Sequence, residues 1–551
     1  MIFIIYSTLK SKSYIENLTN EKTNIYKMDF VLRNGIKIPL ILYINKERFP
    51  FELPDIYIDK FKQNYIPNIP HITSDGYICY LDKEGIIWSD DTNKVFDFIF
   101  SRIESVLLQN ESIEGIHREF QYYFFQTPNI EIMLSEINEC DTTKKVKIAM
   151  DSSSKLKILF DDNKIDRNIY KKLQIINAIY IPFDKCLDIY VPNKTKFWTS
   201  SEINGLINRC VSKENIKKIK KLTKENIKNY YILDILLADG QKILIGLMYD
   251  KDNVLDRGDI PILDNKKEWN VVPIFIERID DKRSLVRGGA ITTGKDFRIL
   301  VVGCGSIGSN LIFQLAQTGF KNLTIVDYDK LSEDNIYRHF LGKVRSKKEK
   351  DKALLMKEEI ESKYNEMNIN AINYDIFTLL ENNKLKLSEY SLVVSALGDV
   401  NKERLLNKYL IRSNIPTIYT WVEAYGIGGH AVFINNEGQG CYNCLITEDL
   451  RCKVNFAEKS DRPFVKNFGG CLGTFTPYGS MDAMQTAIIA ARIAYDCLIK
   501  NIKYNRVLSW KGNEEIFKEN GYSVNESFKK FNKGFGERDD IEFQGCVYCN
   551  D

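Results

Sequence analysis

The sequence predicts an α/β multidomain chain: a small α+β region, a mixed strand-rich middle, and a doubly wound, mostly parallel sheet at the C-terminal end. Three observations carry this reading. At 551 residues the chain is too long for one ordinary core, so two to four domains are expected. From Phe297 onward, apolar β-rich runs alternate with amphipathic stretches, the pattern of a parallel sheet covered by helices. Within that region the run Ile299 to Val302 enters Gly303-Cys304-Gly305-Ser306-Ile307-Gly308. A helical stretch follows, and a second apolar run ends at Asp327.

Taken in order, residues 1–120 alternate short strands and turns, with Pro50, Pro54, Pro67 and Pro70 ahead of a segment bearing Cys79. A helical pattern runs from Val95 to Glu111. Residues 121–286 read as strands broken by Asp-Gly and Asn-Lys turns, at KVKIAMD, AIYIPFD, YYILDILLAD and QKILIGLMYD. Lys213 to Lys228 reads as a helix. Gly288, Gly289 and Gly294 interrupt any regular element at the start of the last domain, 287–551.

Composition narrows the functional class. The formal net charge is only +3, from 77 basic and 74 acidic residues, so neither nucleic acid nor an anionic membrane is implied as partner. The basic runs Lys217 to Lys224 and Arg345 to Lys352 read as solvated helix faces. No apolar run reaches the roughly eighteen residues of a spanning helix. The opening MIFIIYSTLK lacks the basic leader and small-residue cleavage site of a secretory signal. Twelve cysteines, several as Cys-x-x-Cys, suit a reducing cytoplasm with metal and catalytic thiols.

The glycine segment is the βαβ dinucleotide fingerprint. Gly303, Gly305 and Gly308 permit a tight turn and close backbone approach, the following helix N-terminus faces a phosphate, and Asp327 takes a ribose hydroxyl. Taken alone the glycines fit hundreds of oxidoreductases. Asp329 and Asn335-x-x-Arg338 do not, because a dehydrogenase has no use for an arginine there, whereas an enzyme cleaving ATP between its phosphates does.

With Asn335, Arg338, Lys352 and Asp399 (in LVVSALGD) added, residues 287–551 resemble the ThiF/MoeB family of adenylating enzymes, which includes the ubiquitin-activating enzymes. The resemblance implies ATP as co-substrate, Mg²⁺ at Asp399, and Arg338 and Lys352 steadying the triphosphate. It also implies a homodimer, with Arg287 matching an arginine that some members lend to a neighbouring subunit. The chemistry agrees: a carboxylate attacking an α-phosphate needs cations to offset charge repulsion.

Three thiol groups remain. Cys441-x-x-Cys444 and Cys546-x-x-Cys549 offer four thiolates for a closed, structural Zn²⁺ site tying the chain end to the domain. Cys471, among glycines ahead of a long apolar helix, reads as an exposed thiol near a helix N-terminus, where the thiolate is favoured. Ubiquitin-activating enzymes carry a thioester cysteine near this position, and sulfur-carrier adenylases often have one too. Cys452 is the rival. Cys304 and Cys497 read as packing residues.

At the other end, IPHITSDGYIC (69–79) with Trp88 beyond it resembles the active-site segment of ubiquitin-conjugating enzymes, over about residues 25 to 110. His71 takes the place of the family's Asn, eight residues before Cys79, with Pro70 in register and Ile69 in place of the family's His. The resemblance implies that Cys79 carries an acyl thioester and that His71 donates to the oxyanion.

The domain order matches a bacterial family found in CBASS antiphage systems. That resemblance implies an enzyme joining the C-terminal tail of a cGAS/DncV-like nucleotidyltransferase to lysines of target proteins. Two other readings compete: a sulfur-carrier adenylyltransferase, and an adenylation-competent scaffold whose N-terminal domain only docks a partner.

Overall fold

The structure, a computed structural model, describes all residues except 1, 61–70, 74, 82–88, 109–119, 152–156, 162–172, 185–196, 224–228, 238–239, 241, 250–258, 344–350, 412, 438–439, 468–473 and 550–551. The chain divides into two compact units, Met1–Asp280 and Asp281–Asp551.

The first unit opens with helix α1 (Ile2–Lys10), where the sequence suggested only an apolar run. Ile5 and Leu9, one turn apart, anchor it in a core. Strands β1 (Ile15–Lys22), β2 (Ile25–Val31), β3 (Lys37–Tyr43) and β4 (Asp55–Ile58) form an antiparallel meander in chain order. Alternate residues of β2 and β3 (Tyr26, Met28 and Phe30; Ile38, Leu40 and Leu42) share a core with α2 (Thr92–Leu108). The period-two burial is the signature of a sheet covered on one face.

Next come α3 (Phe120–Phe125) and strands β5 (Glu131–Ser135), β6 (Lys144–Met150), β7 (Lys157–Asp161) and β8 (Gln174–Pro182). Helices α4 (Ser200–Cys210) and α5 (Lys213–Thr223) precede β9 (Tyr230–Leu236), β10 (Lys242–Tyr249) and β11 (Val271–Arg278). The seven strands close into a barrel in the order β10-β11-β5-β7-β6-β8-β9. The four runs read as strands correspond to β6, β8, β9 and β10. The structure adds β5, β7 and β11. Along β9 and β10, Ile232, Leu244 and Met248 join one cluster, while Tyr231, Leu233, Ile243 and Ile245 join another with α4. A strand buried on both faces loses its polar alternation.

The second unit begins with α6 (Asp281–Arg287). It continues as β12 (Arg298–Val302), α7 (Ser306–Thr318), β13 (Asn322–Val326), α8 (Lys352–Lys363), β14 (Asn368–Ile372), α9 (Ile376–Glu381), β15 (Leu392–Ser395), α10 (Val400–Leu410), β16 (Thr417–Val422) and β17 (Gly428–Ile434). The short pair β18 (Lys466–Asn467) and β19 (Thr474–Phe475) leads to α11 (Ser480–Leu498) and β20 (Arg506–Lys511). Helices α12 (Glu514–Glu519) and α13 (Glu526–Lys530) and strand β21 (Phe535–Glu537) end the unit. The main sheet runs β14-β13-β12-β15-β16-β17-β20-β21. Strands β14 to β16 are parallel, and β17, β20 and β21 continue antiparallel. Because β12 lies between β13 and β15, the winding direction reverses there, and a crevice forms beyond the C-terminal ends of β12 and β15.

Candidate active site

That crevice holds the glycine turn. Gly303 sits at φ +93°, and a Cβ there would stand 2.7 Å from the Ala396 carbonyl oxygen, so only glycine fits. A Cβ on Gly308 would reach 2.0 Å from the Gly303 oxygen, which fixes the close packing of α7 against β12. A Cβ on Gly305 would meet nothing within 4 Å, so protein packing does not demand that glycine. Open space beside it, at a helix N-terminus without a side-chain cap, is a cradle for a phosphate.

Asp327, at the end of β13, accepts from the N–H groups of Cys304 (2.5 Å) and Asp329 (2.7 Å). Burial raises its pKa against these donors. Lys352 was grouped with a solvated basic run, and that reading is corrected: it is buried, with Nζ 3.1 Å from Asp329 Oδ2. Asp327, Asp329, Lys352 and Lys402 line one pocket with Gly303 and Gly305. Lys402, which the sequence reading missed, lies one helical turn past Asp399, with Nζ 3.4 Å from the Tyr328 hydroxyl.

Arg338 Nη2 donates to Asn335 Oδ1 at 3.0 Å and Nη1 to the Thr476 carbonyl at 3.2 Å, with the guanidinium over the Tyr478 ring. The Asn-x-x-Arg spacing thus joins the two side chains directly. Asp399 caps α10: Oδ1 accepts from Asn401 N (2.9 Å) and Lys402 N (3.2 Å), and Oδ2 has no such donor among the described residues. An exposed carboxylate with one free oxygen fits a hard cation such as Mg²⁺.

Asp399 also stands at a junction. Leu397 and Lys402 line the pocket of Gly303, Gly305 and Asp327, while Val400, Asn401 and Arg404 line a neighbouring open groove of about 920 Å³. Thr476, bonded to Arg338, lines the same groove. Its floor is fixed by Glu423, which accepts from Phe456 N (2.6 Å) and Ala457 N (2.9 Å) and pairs with His430 at 2.8 Å.

Cys452 lines this groove, but burial pushes its thiol up to about 12. Cys304 is fully buried and Cys497 half-buried, and burial raises both thiols. Cys471 lies outside the described residues, as do Ile69, Pro70 and Trp88.

The four knuckle sulfurs converge within 4.8 Å of one another. Cys441–Cys546 is 3.7 Å, Cys444–Cys549 3.5 Å and Cys546–Cys549 3.8 Å. A tetrahedron of metal–sulfur bonds near 2.3 Å spaces its sulfurs by about 3.8 Å, whereas a disulfide needs about 2.05 Å. The N–H groups of Cys441 and Cys546 donate to the sulfurs of Cys444 and Cys549, the kind of donor that supports a thiolate ligand. The donor set fits Zn²⁺.

In the first unit, residues 71–73 and 75–79 lie against β4: Ile78 N donates to Ile56 O and Ile58 N to Gly76 O. Cys79 is half-buried, and its N–H donates to the His71 carbonyl at 2.7 Å. His71 adopts φ +67°, a region in which Asn, Asp and His are enriched among non-glycine residues.

Residues 287–516 match the ThiF family and residues 8–131 the prokaryotic E2 family B. The chain is 23% identical over 472 residues to the ATP-dependent ubiquitin transferase-like protein Cap2 of Pseudomonas aeruginosa, covering 81% of this chain and 83% of that one. It is 32% identical over 148 residues to SUMO-activating enzyme subunit 2 of Dictyostelium discoideum, 27% of this chain and 22% of that one. Among solved structures, E. coli MccB with MccA-N7isoASN aligns at 18% identity and a TM-score of 0.33, over 46% of this chain and 67% of its own. Among the described residues, no helix is long and apolar enough to cross a membrane.

Proposed function

From a chain that joins a prokaryotic E2-like domain to a ThiF-family adenylation domain, we propose an ATP-dependent protein ligase that activates a partner's C-terminus and conjugates it to target amines. The observation that carries this is the position of Asp399, between a nucleotide pocket and a groove large enough for an extended peptide tail. We divide the chain into a conjugating-like domain (1–120), a linker domain (121–286) and the adenylation domain (287–551).

A carboxylate oxygen of the tail attacks the α-phosphorus, forming the acyl–phosphate bond while the α–β bridging bond breaks and pyrophosphate leaves with the electron pair. Gly305 and the α7 N-terminus hold phosphate oxygens, Asp327 orients the ribose, and Arg338 and Lys352 offset the charge that develops. Asp399 would hold Mg²⁺, which would supply Lewis-acid neutralisation of the phosphates. The Cys471 thiolate then displaces AMP from the carbonyl, giving a thioester. Cys79 displaces Cys471 in turn, and a lysine amine displaces Cys79 and loses a proton. Holding both thiols on one chain raises their effective concentration for each other. The partner best suited by the resemblance is a cGAS/DncV-like nucleotidyltransferase, and the chain works as a cytoplasmic homodimer with a structural zinc.

The test is exchange of labelled pyrophosphate into ATP, dependent on such a partner with a free C-terminus. Partner-dependent exchange supports the reading; none removes its first step. A sulfur-carrier adenylyltransferase or a docking scaffold would show exchange but no partner conjugate, and Cys79→Ala would change neither.

A further inference from the structure

We propose that Arg404 is a specificity-determining residue that binds an acidic side chain of the tail, two to three residues before the reacting terminus. The inference rests on the groove taking that tail.

The groove is lined by five basic and three acidic residues. Half of these eight charges are already answered within the protein. Lys529 bridges to Glu526, Arg451 to Asp449, and Glu423 is held by two backbone N–H groups and His430. Three cations, Arg404, Lys453 and Lys459, have no carboxylate partner among the described residues. Arg404 differs from the two exposed lysines because it is half-buried and tethered: its Nε donates to Oδ1 of the buried Asn443 at 3.0 Å. That bond fixes the plane of the guanidinium. It leaves Nη1 and Nη2, the pair that binds a carboxylate in fork geometry, without a protein partner among the described residues.

Position then sets the register. Val400, Asn401 and Arg404 share one face of α10, and all three line the groove. Five residues beyond Asp399 is about 7–8 Å along the helix axis. An extended chain advances about 3.3 Å per residue. A tail whose terminal carboxylate reacts beside Asp399 therefore brings its second or third preceding side chain opposite Arg404. An Asp or Glu there gains a charge-assisted bidentate contact, an amide loses the charge, and a lysine meets repulsion.

The test uses the full-length chain and ten-residue peptides with free C-termini, identical except for Asp, Asn or Lys at the third position from the end. Pyrophosphate exchange is read as KM and kcat for each. The expected result is a KM lower for the Asp peptide than for the Asn peptide by about tenfold or more, and lower still relative to Lys. In Arg404→Glu the order reverses, with Lys preferred over Asp. Equal KM values across the three peptides on the unaltered chain overturn the role of Arg404 while leaving adenylation of a tail standing. An Asp preference that survives Arg404→Glu also overturns it. Exchange with none of the peptides, when a nucleotidyltransferase partner also fails, removes the underlying reading and this inference together.

Discussion

The backbone N–H of Cys79 meets the carbonyl of His71 at 2.7 Å, so two residues eight apart in sequence stand side by side in a loop pinned to β4. With Cys79 as acyl carrier, Cys79→Ala abolishes the partner conjugate and leaves pyrophosphate exchange unchanged. His71→Ala slows amine transfer by about 10²-fold while the Cys79 thioester still forms. His71→Asn, which tolerates the positive φ, restores much of the rate. Single-turnover gels with and without reducing agent separate the two steps.

Asp399 combines a helix cap with a candidate metal ligand, and two substitutions divide these roles. Asp399→Ala removes the cap, costing about 0.5–2 kcal/mol of stability, and stops exchange. Asp399→Asn keeps a capping oxygen and nearly full stability, yet still lowers exchange by about 10²-fold or more through loss of the charge. Thermal melts paired with exchange assays over a Mg²⁺ titration check both. Full activity in the Asn variant would contradict the metal role.

The cysteine knuckles predict one zinc per chain by elemental analysis. Removing it with a chelator, or substituting Cys549→Ser, frees the chain end from the domain and lowers Tm by roughly 5 °C or more. Pyrophosphate exchange at low temperature persists at a saturating tail, since none of the four cysteines lines the pocket of Gly303 and Asp327, while KM for the tail rises because Asn443 between the first two cysteines holds Arg404.

His339 gives a pH dependence with a definite sign. It is 4% exposed, its Nε2 is 2.8 Å from the Cys304 carbonyl oxygen, and burial lowers its pKa from 6.5 to about 4. The unfolded chain binds the proton more readily, so the stabilisation is complete above about 6.5 and is lost as pH falls toward 4. Its full size is on the order of 3 kcal/mol. Denaturation curves between pH 4 and 7 follow this slope, and His339→Asn flattens it.

Much of the candidate site was legible because backbone-limited chemistry writes itself into short motifs. The glycine turn, Asn335-x-x-Arg338 and the Cys-x-x-Cys pairs each encode a local geometry that three or four residues fix. The barrel was less legible: β9 and β10 bury both faces, so alternation vanishes, and β5 and β7 are five residues each. Lys402 and Arg404 were missed for a related reason. Their roles depend on which face of α10 meets the pocket and the groove, and a charged helix surface reads the same either way. Lys352 misled in the opposite sense, since a buried cation paired with Asp329 looks in sequence like one more member of a basic run.

The relay of an acyl group between two sulfurs is tested most directly by intact-protein mass spectrometry of the full-length chain with ATP, Mg²⁺ and a cGAS/DncV-like nucleotidyltransferase. The account predicts an adduct of one partner minus water that dithiothreitol removes, held at Cys471 in the Cys79→Ala variant and absent in Cys471→Ala. Contradiction would be an acyl-adenylate that forms and persists without any thiol-sensitive adduct, or an adduct that survives loss of Cys471.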